Sequence, residues 1–199
     1  ARVRLTWNPQ PLWTWAGAAI AANFNNGFDA FALDNNGRFT YSDQPGRDEQ
    51  RSLAASLRGA YRGWAAGRFT TITSGVHSRS IYSYDDDWTA ASYAGFSDLR
   101  RERTVLNQEL RLDSEPLAAS EEGDRWTLGV FFSSTAEASQ YVGQDPYSRR
   151  GLATQYDARN AAIFGQWGHN FTARTRLVVG LRAERIALTG NGKKMLTYF

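Results

Sequence analysis

Apolar and polar residues alternate with a period of two in one segment after another of this sequence. That rhythm marks β-strands with one apolar and one polar side. It appears first over residues 2–8, where Val3, Leu5 and Trp7 oppose Arg2, Arg4 and Thr6. It returns over 12–25, 50–62, 68–84, 101–113, 125–135, 157–171 and 174–188. The cleanest stretches are two. Leu106, Gln108, Leu110 and Leu112 oppose Asn107, Glu109, Arg111 and Asp113; Leu177, Val179, Leu181 and Ala183 oppose Val178, Gly180, Arg182 and Glu184. Three segments (12–24, 50–62 and 153–166) also fit a helical stripe, and their alanines favour helix. Their strand neighbours and regular spacing select strand. The expectation is an all-β chain of about eight antiparallel strands.

The connections add a second rhythm. Residues 8–11, 63–67 and 170–173 are tight, with 114–124 intermediate; 26–49, 85–100 and 136–156 are long. Short and long connections therefore alternate, as at the two rims of an outer-membrane barrel. Trp7, Trp13, Trp64, Trp126 and Trp167 lie at or beside short connections. Indole combines an apolar ring with an N–H donor, so tryptophan gathers at membrane–water interfaces. The competing explanation is the aromatic core of a soluble sandwich. Strands of 11–17 residues exceed the ~9–11 needed to cross a bilayer, so they are expected to project into the long loops.

Composition removes other classes. With no cysteine, disulfide frameworks, zinc–thiolate centres and cysteine nucleophiles are excluded. No apolar run approaches the ~18 residues of a membrane helix. The charge is +3, with 23 Lys and Arg against 20 Asp and Glu. The arginines are scattered among the acids, so no nucleic-acid footprint emerges. The start at Ala1 lacks the features of a signal peptide and reads as a strand already under way. A processed chain or a fragment is expected.

Several stretches carry a family resemblance. They are Asn25-Asn26-Gly27-Phe28-Asp29-Ala30-Phe31 with Asp43-Gln44-Pro45-Gly46-Arg47-Asp48; Leu106 to Leu112, with its Gln-Glu-Leu-Arg-Leu strand, followed by Trp126-Thr127-Leu128-Gly129-Val130-Phe131; Tyr156 to Gln166; and Val179-Gly180-Leu181-Arg182-Ala183-Glu184-Arg185. In order and spacing they resemble the barrel domain of a TonB-dependent outer-membrane receptor, over nearly the whole chain. The resemblance implies a barrel of about 22 strands closed by an N-terminal plug. It implies import of a ferric siderophore, a vitamin or another scarce nutrient, with energy relayed by TonB through the plug. Residues 1–189 would hold about eight strands of that barrel, and 190–199 a tail or a truncated next strand. Outer-membrane lipid, the missing plug and the remaining strands would be the partners. No cofactor is implied.

Two sets of residues are candidates for function. Polar strand residues Arg58, Arg62, Asn107, Glu109, Arg111, Arg182 and Glu184 would face the lumen, toward a plug or a substrate path; a generic wetted interior is the alternative. Aromatic residues of the loops and their strand ends are Phe28, Phe31, Tyr82, Tyr84, Trp88, Tyr93, Phe96, Tyr141 and Tyr147. They would offer flat surface to a chelate or planar ligand, or simply line a variable loop. Covalent chemistry has no support. His77 and His169 are far apart, with no carboxylate at metal-ligand spacing, and no nucleophile elbow or phosphate loop is present. Asp85-Asp86-Asp87 lacks a calcium-loop pattern and reads as a solvated acidic loop. The rival readings are a self-standing eight-stranded barrel with a structural or adhesive role, and a soluble sugar-binding sandwich.

Overall fold

The computed structural model describes residues 1–27, 33–34, 36–44, 46–65, 67–90, 95–114, 124–172 and 174–199. They form one antiparallel sheet: β1 (Arg2–Gln10), β2 (Trp13–Asn25), β3 (Arg47–Trp64), β4 (Gly67–Asp85), β5 (Phe96–Asp113), β6 (Arg125–Gln144), β7 (Ser148–Thr172) and β8 (Thr175–Tyr198). Each strand pairs with its sequence neighbours, in the order β1 to β8. Among the described residues β1 pairs with β2 alone and β8 with β7 alone, so the sheet is open at both edges. The three helix-ambiguous segments are all strand. Cross-strand pairing has overridden the alanine propensity of β2.

Two expectations about connections need correction. Residues 136–156 are not a long loop: β6 runs to Gln144 and β7 starts at Ser148, leaving a three-residue turn. Strand is easy to miss there because 136–156 is polar on both sides. The ladder is held instead by unbroken backbone pairing from Glu137↔Tyr156 to Gln144↔Arg149. Asp145 makes the reversal, accepting from the Tyr147 amide at 2.9 Å and the Ser148 amide at 2.8 Å. The strict alternation of loop lengths is lost with it. Residues 190–198 likewise continue β8, with Lys193 opposite Ala153 and Tyr198 opposite Ser148.

The register sorts every strand into the same two faces. Leu57, Thr73, Gln108, Phe132 and Ala161 stand opposite one another in one row, and Arg58, Ile72, Glu109, Phe131 and Ala162 in the next. The first face collects Val3, Leu5, Leu53, Leu57, Leu106, Leu110, Leu128, Phe132, Ile163 and Leu181, all well exposed. The second face is the more buried of the two, as the inner, concave side of a curved sheet is. Along β6, residues 133–141 alternate between half-buried odd positions on this side and exposed even positions on the other. β7 follows the same rule, with Ala162 buried between exposed Ala161 and Ile163.

This sheet therefore inverts the usual distribution of a soluble protein. Ala162 is the one buried apolar residue of the core among the described residues. The accessible surface is 14275 Å² for 22.3 kDa, against about 9,400 Å² for a compact monomer of that mass. The described residues form one layer, and none of them covers its apolar side.

The apolar band runs obliquely across the strands. Loopward of it, the first charged residue is Arg51 on β3, in one row with Arg79 and Glu102. On β8 it is Arg185, whose row leads through Ala161, Phe132, Gln108 and Thr73 to Leu57. The boundary has moved from position 51 to position 57 of β3 in crossing five strand steps. The turnward boundary drifts the same way, from Trp7 in the Trp15–Gly59 row to Trp126, Trp167 and Val179.

Backbone crowds the Cβ position of Gly67, and an aromatic ring that of Gly129. Gly67 opens β4 at φ 134, and a Cβ there would lie 2.2 Å from the Asp113 carbonyl. At Gly129 a Cβ would lie 2.2 Å from the Phe164 ring, which folds over the glycine.

Candidate functional site

Alternation places Arg58, Arg62, Asn107, Glu109, Arg111, Arg182 and Glu184 on one side of their strands, and register makes that the concave side of the sheet. Three of the rows are Arg58–Ile72–Glu109, Ala60–Thr70–Arg111 and Ser74–Asn107–Ser133. Arg111 Nε donates to Asp113 Oδ2 at 3.1 Å, and its other end lies 3.7 Å from Glu109. Asp113 also receives the Thr127 hydroxyl at 2.9 Å and Arg68 at 3.4 Å. Asn107 Nδ2 reaches Ser74 Oγ at 3.3 Å.

Toward β8, Arg182 Nε donates to Glu184 at 3.1 Å, and Asn160 donates to the same carboxylate. The Arg182 guanidinium lies 5.5 Å from the Phe131 ring centre and 5.9 Å from that of Phe164. Stacking holds a cation against an aromatic face while its donors stay available. Farther loopward, Glu137 takes Arg101 and Arg103 at 3.5 and 3.7 Å. These contacts link charge across neighbouring strands, and the arginines outnumber the acids along the turnward part of the face.

The loopward rim gathers a different chemistry. Tyr82 and Tyr141 flank Leu99 across β5, and the Tyr82 and Tyr84 rings lie 5.6 Å apart. Ser97 Oγ donates to Asp86 at 2.9 Å and receives the Tyr141 hydroxyl at 3.2 Å. Tyr84 and Tyr141 are thus brought together with Tyr82. Trp88 sits apart, in the 86–95 connection, at φ 55. Its left-handed backbone is bridged by Asp87, which accepts the Thr89 amide at 2.8 Å. Tyr147 stands at the β6–β7 turn, 78% exposed. Phe96 pairs opposite Asp85, in the row of the other face. Phe28, Phe31 and Tyr93 lie outside the described residues.

The acidic run Asp85–Asp87 organises the loop. Buried Asp85 accepts the amides of Asp43 at 2.9 Å and Asp87 at 3.1 Å, tying the segment before β3 to the end of β4. No cluster of three metal-ligating groups occurs among the described residues.

Sequence reading left both histidines without partners, and the structure supplies them. His77 Nδ1 lies 3.0 Å from Thr104 Oγ1, with Glu102 at 3.7 Å from the other ring nitrogen. His169 Nδ1 meets Asp124, which also accepts Trp167 Nε1 at 3.1 Å. Trp167 and His169 stack at 5.6 Å, and Phe171 closes on the histidine edge-on. The Asp124 carboxyl is held below its usual range, first by His169 and then by Trp167. Register alone joins residues so far apart in the chain, so no local motif could have announced them. Arg68, Asp113 and Ser97 were missed for the same reason.

No family model, curated protein or solved structure matches this chain.

Proposed function

We propose that the chain is part of the wall of an outer-membrane β-barrel, of the kind found in TonB-dependent receptors, and serves uptake of a scarce nutrient such as a ferric siderophore. The polarity of the two faces carries the reading. A convex apolar side with a concave charged side suits lipid outside and water within. It suits poorly a soluble sandwich, which would bury Leu110, Val179 and Leu181 between layers.

The oblique band supports the same view. A drift of about one residue per strand, at ~3.3 Å rise and ~4.8 Å strand spacing, corresponds to strands tilted roughly 30–40° from the membrane normal. Barrel strands in outer membranes tilt by ~35–45°. From Arg159 to Ser148, β7 would run on for about 35 Å of its own length beyond the apolar band, or about 30 Å in height at that tilt. Recognition would occur at the loopward rim, around Tyr82, Tyr84 and Tyr141. Passage would follow the concave face once a plug is displaced, with no covalent step.

The cysteine-free sequence offers a direct test. Single cysteines at Leu110 and Arg111 of the full-length protein in bilayers would carry an environment-sensitive fluorophore. Strong quenching by brominated lipid at 110, with weak quenching at 111, is expected. Equal weak quenching at both sites would sink the membrane reading.

A further inference from the structure

Arg159 on β7 and Arg185 on β8 stand on the convex face, at the loopward border of the apolar band. With Leu106, Phe132, Ser134 and Ala161 they line an open recess of about 650 Å³. We infer that this recess holds a phosphorylated membrane lipid, its phosphate between the two arginines and its acyl chain along Phe132 and Leu106. The inference rests on the membrane reading above and adds the kind of lipid that this face selects.

Register assembles the recess from two adjacent rows. One runs Leu106, Ser134, Arg159; the next runs Phe132, Ala161, Arg185. Each row passes from an apolar wall through a small residue to a cation. The two arginines are diagonal neighbours on one face, roughly 7–8 Å apart at the backbone. Their long side chains can close on a single phosphate.

Both arginines are exposed, and neither makes a hydrogen bond or ion pair among the described residues. The Ser134 hydroxyl, opposite Arg159, is likewise unused there. The acids of this part of the sheet do not meet the need. Asp157 lies one row loopward of Arg159 on the same face and bonds to neither arginine. Glu102 is taken by Arg79 at 3.1 Å, with His77 at 3.7 Å. Glu109, Glu137 and Glu184 belong to the other face. Glu115, Glu121 and Glu122 lie outside the described residues. Ser114 and Asp124, which bracket them, stand about 20 Å or more turnward of Gln108 and Phe132 along β5 and β6. Counting Asp157 against Arg159 and Arg185 leaves one positive charge in excess. At the border of hydrocarbon an unmatched cation is costly, and a lipid phosphate is the counter-ion that a membrane itself offers. A free phosphate would leave Leu106 and Phe132 59% and 52% exposed; an acyl chain covers both.

Quenching by brominated lipid tests the inference in the full-length protein. A fluorophore at Ala183→Cys would sit on the same face, one row turnward of Arg185. In phosphatidylcholine bilayers, a minor fraction of brominated phosphatidic acid is expected to quench about tenfold more per mole than brominated phosphatidylcholine. Arg159→Gln and Arg185→Gln should each lower that preference about fivefold. Arg79→Gln, on the same face but paired with Glu102, should leave it unchanged. A preference that survives both recess variants overturns the site. One abolished by millimolar glycerol 3-phosphate overturns the lipid in favour of a free phosphate. Equal quenching by the two lipids overturns the site and leaves the membrane reading standing; no quenching by either overturns both. Quenching of each variant by brominated phosphatidylcholine verifies its insertion. Phenylglyoxal modification of the unmutated protein removes any dependence on variant folding. Phosphatidic acid should slow reaction at Arg159 and Arg185 but not at Arg79, and the absence of such protection refutes the site.

Discussion

Asp124 fastens two β7 side chains at once, taking the Trp167 indole N–H at 3.1 Å on one oxygen and His169 Nδ1 on the other. The three groups join the connection before β6 to the end of β7. The Asp124 carboxyl has its acidity raised by this contact. A carboxyl with a depressed folded pKa stabilises the fold above its unfolded value of ~3.9, and that stabilisation is lost as pH falls through the folded value. Trp167 fluorescence should therefore change on acidification below about pH 4. In Asp124→Asn that transition should be absent. A transition of equal size in the variant would place its origin elsewhere.

Asp145 controls the β6–β7 reversal in the same sense. Its carboxyl is held down to about 2, first by the Tyr147 amide and then by Arg150. The turn should persist through pH 4 and loosen only as pH approaches 2. Amide chemical shifts of Tyr147 and Ser148 would report it. Asp145→Ala should shift them at neutral pH as well.

Phe164 lies over Gly129, where an added Cβ would come within 2.2 Å of the ring. Gly129→Ala should displace that ring and the Arg182 stacked beside it, costing roughly 1–3 kcal/mol in urea unfolding. Phe164→Leu in the same background should recover part of the loss, as expected of coupled neighbours. Simple additivity of the two changes would refute the contact.

A charge on the apolar band should be far worse than one on the concave face. On the proposed barrel reading, Leu110→Arg is expected to cost ~2–4 kcal/mol of stability in bilayers. Asn107→Arg, on the wet side, should cost well under half of that. Similar penalties at both sites would contradict the assignment of lipid to the convex face.

Much of the fold was readable because alternation is a local signal. Val3, Leu5 and Trp7, or Leu106 and Leu110, reveal their common face without reference to any neighbour. Strand ends were readable only where apolar residues mark them. Residues 136–156 and 190–198 lack that mark, and their strand character comes from the cross-strand pairing of β6 with β7 and of β7 with β8. The candidate sites divide along the same line. Parity along a strand put Arg111 and Glu109 on one side together. The meetings of Arg68 with Asp113, of Ser97 with Asp86 and Tyr141, and of His169 with Asp124 depend on register, which no single strand encodes.

The slant of the apolar band also acts as an addressing rule. The free edge of β8 presents a row of backbone donors and acceptors to whatever strand lies next to it. A neighbour that keeps its greasy residues level with those of β8 must start them about one position further toward the turn side than straight cross-strand pairing would give. A strand with the same composition but the wrong offset would find its hydrogen bonds and lose its solvent match. The edge can thus discriminate among otherwise similar strands by phase.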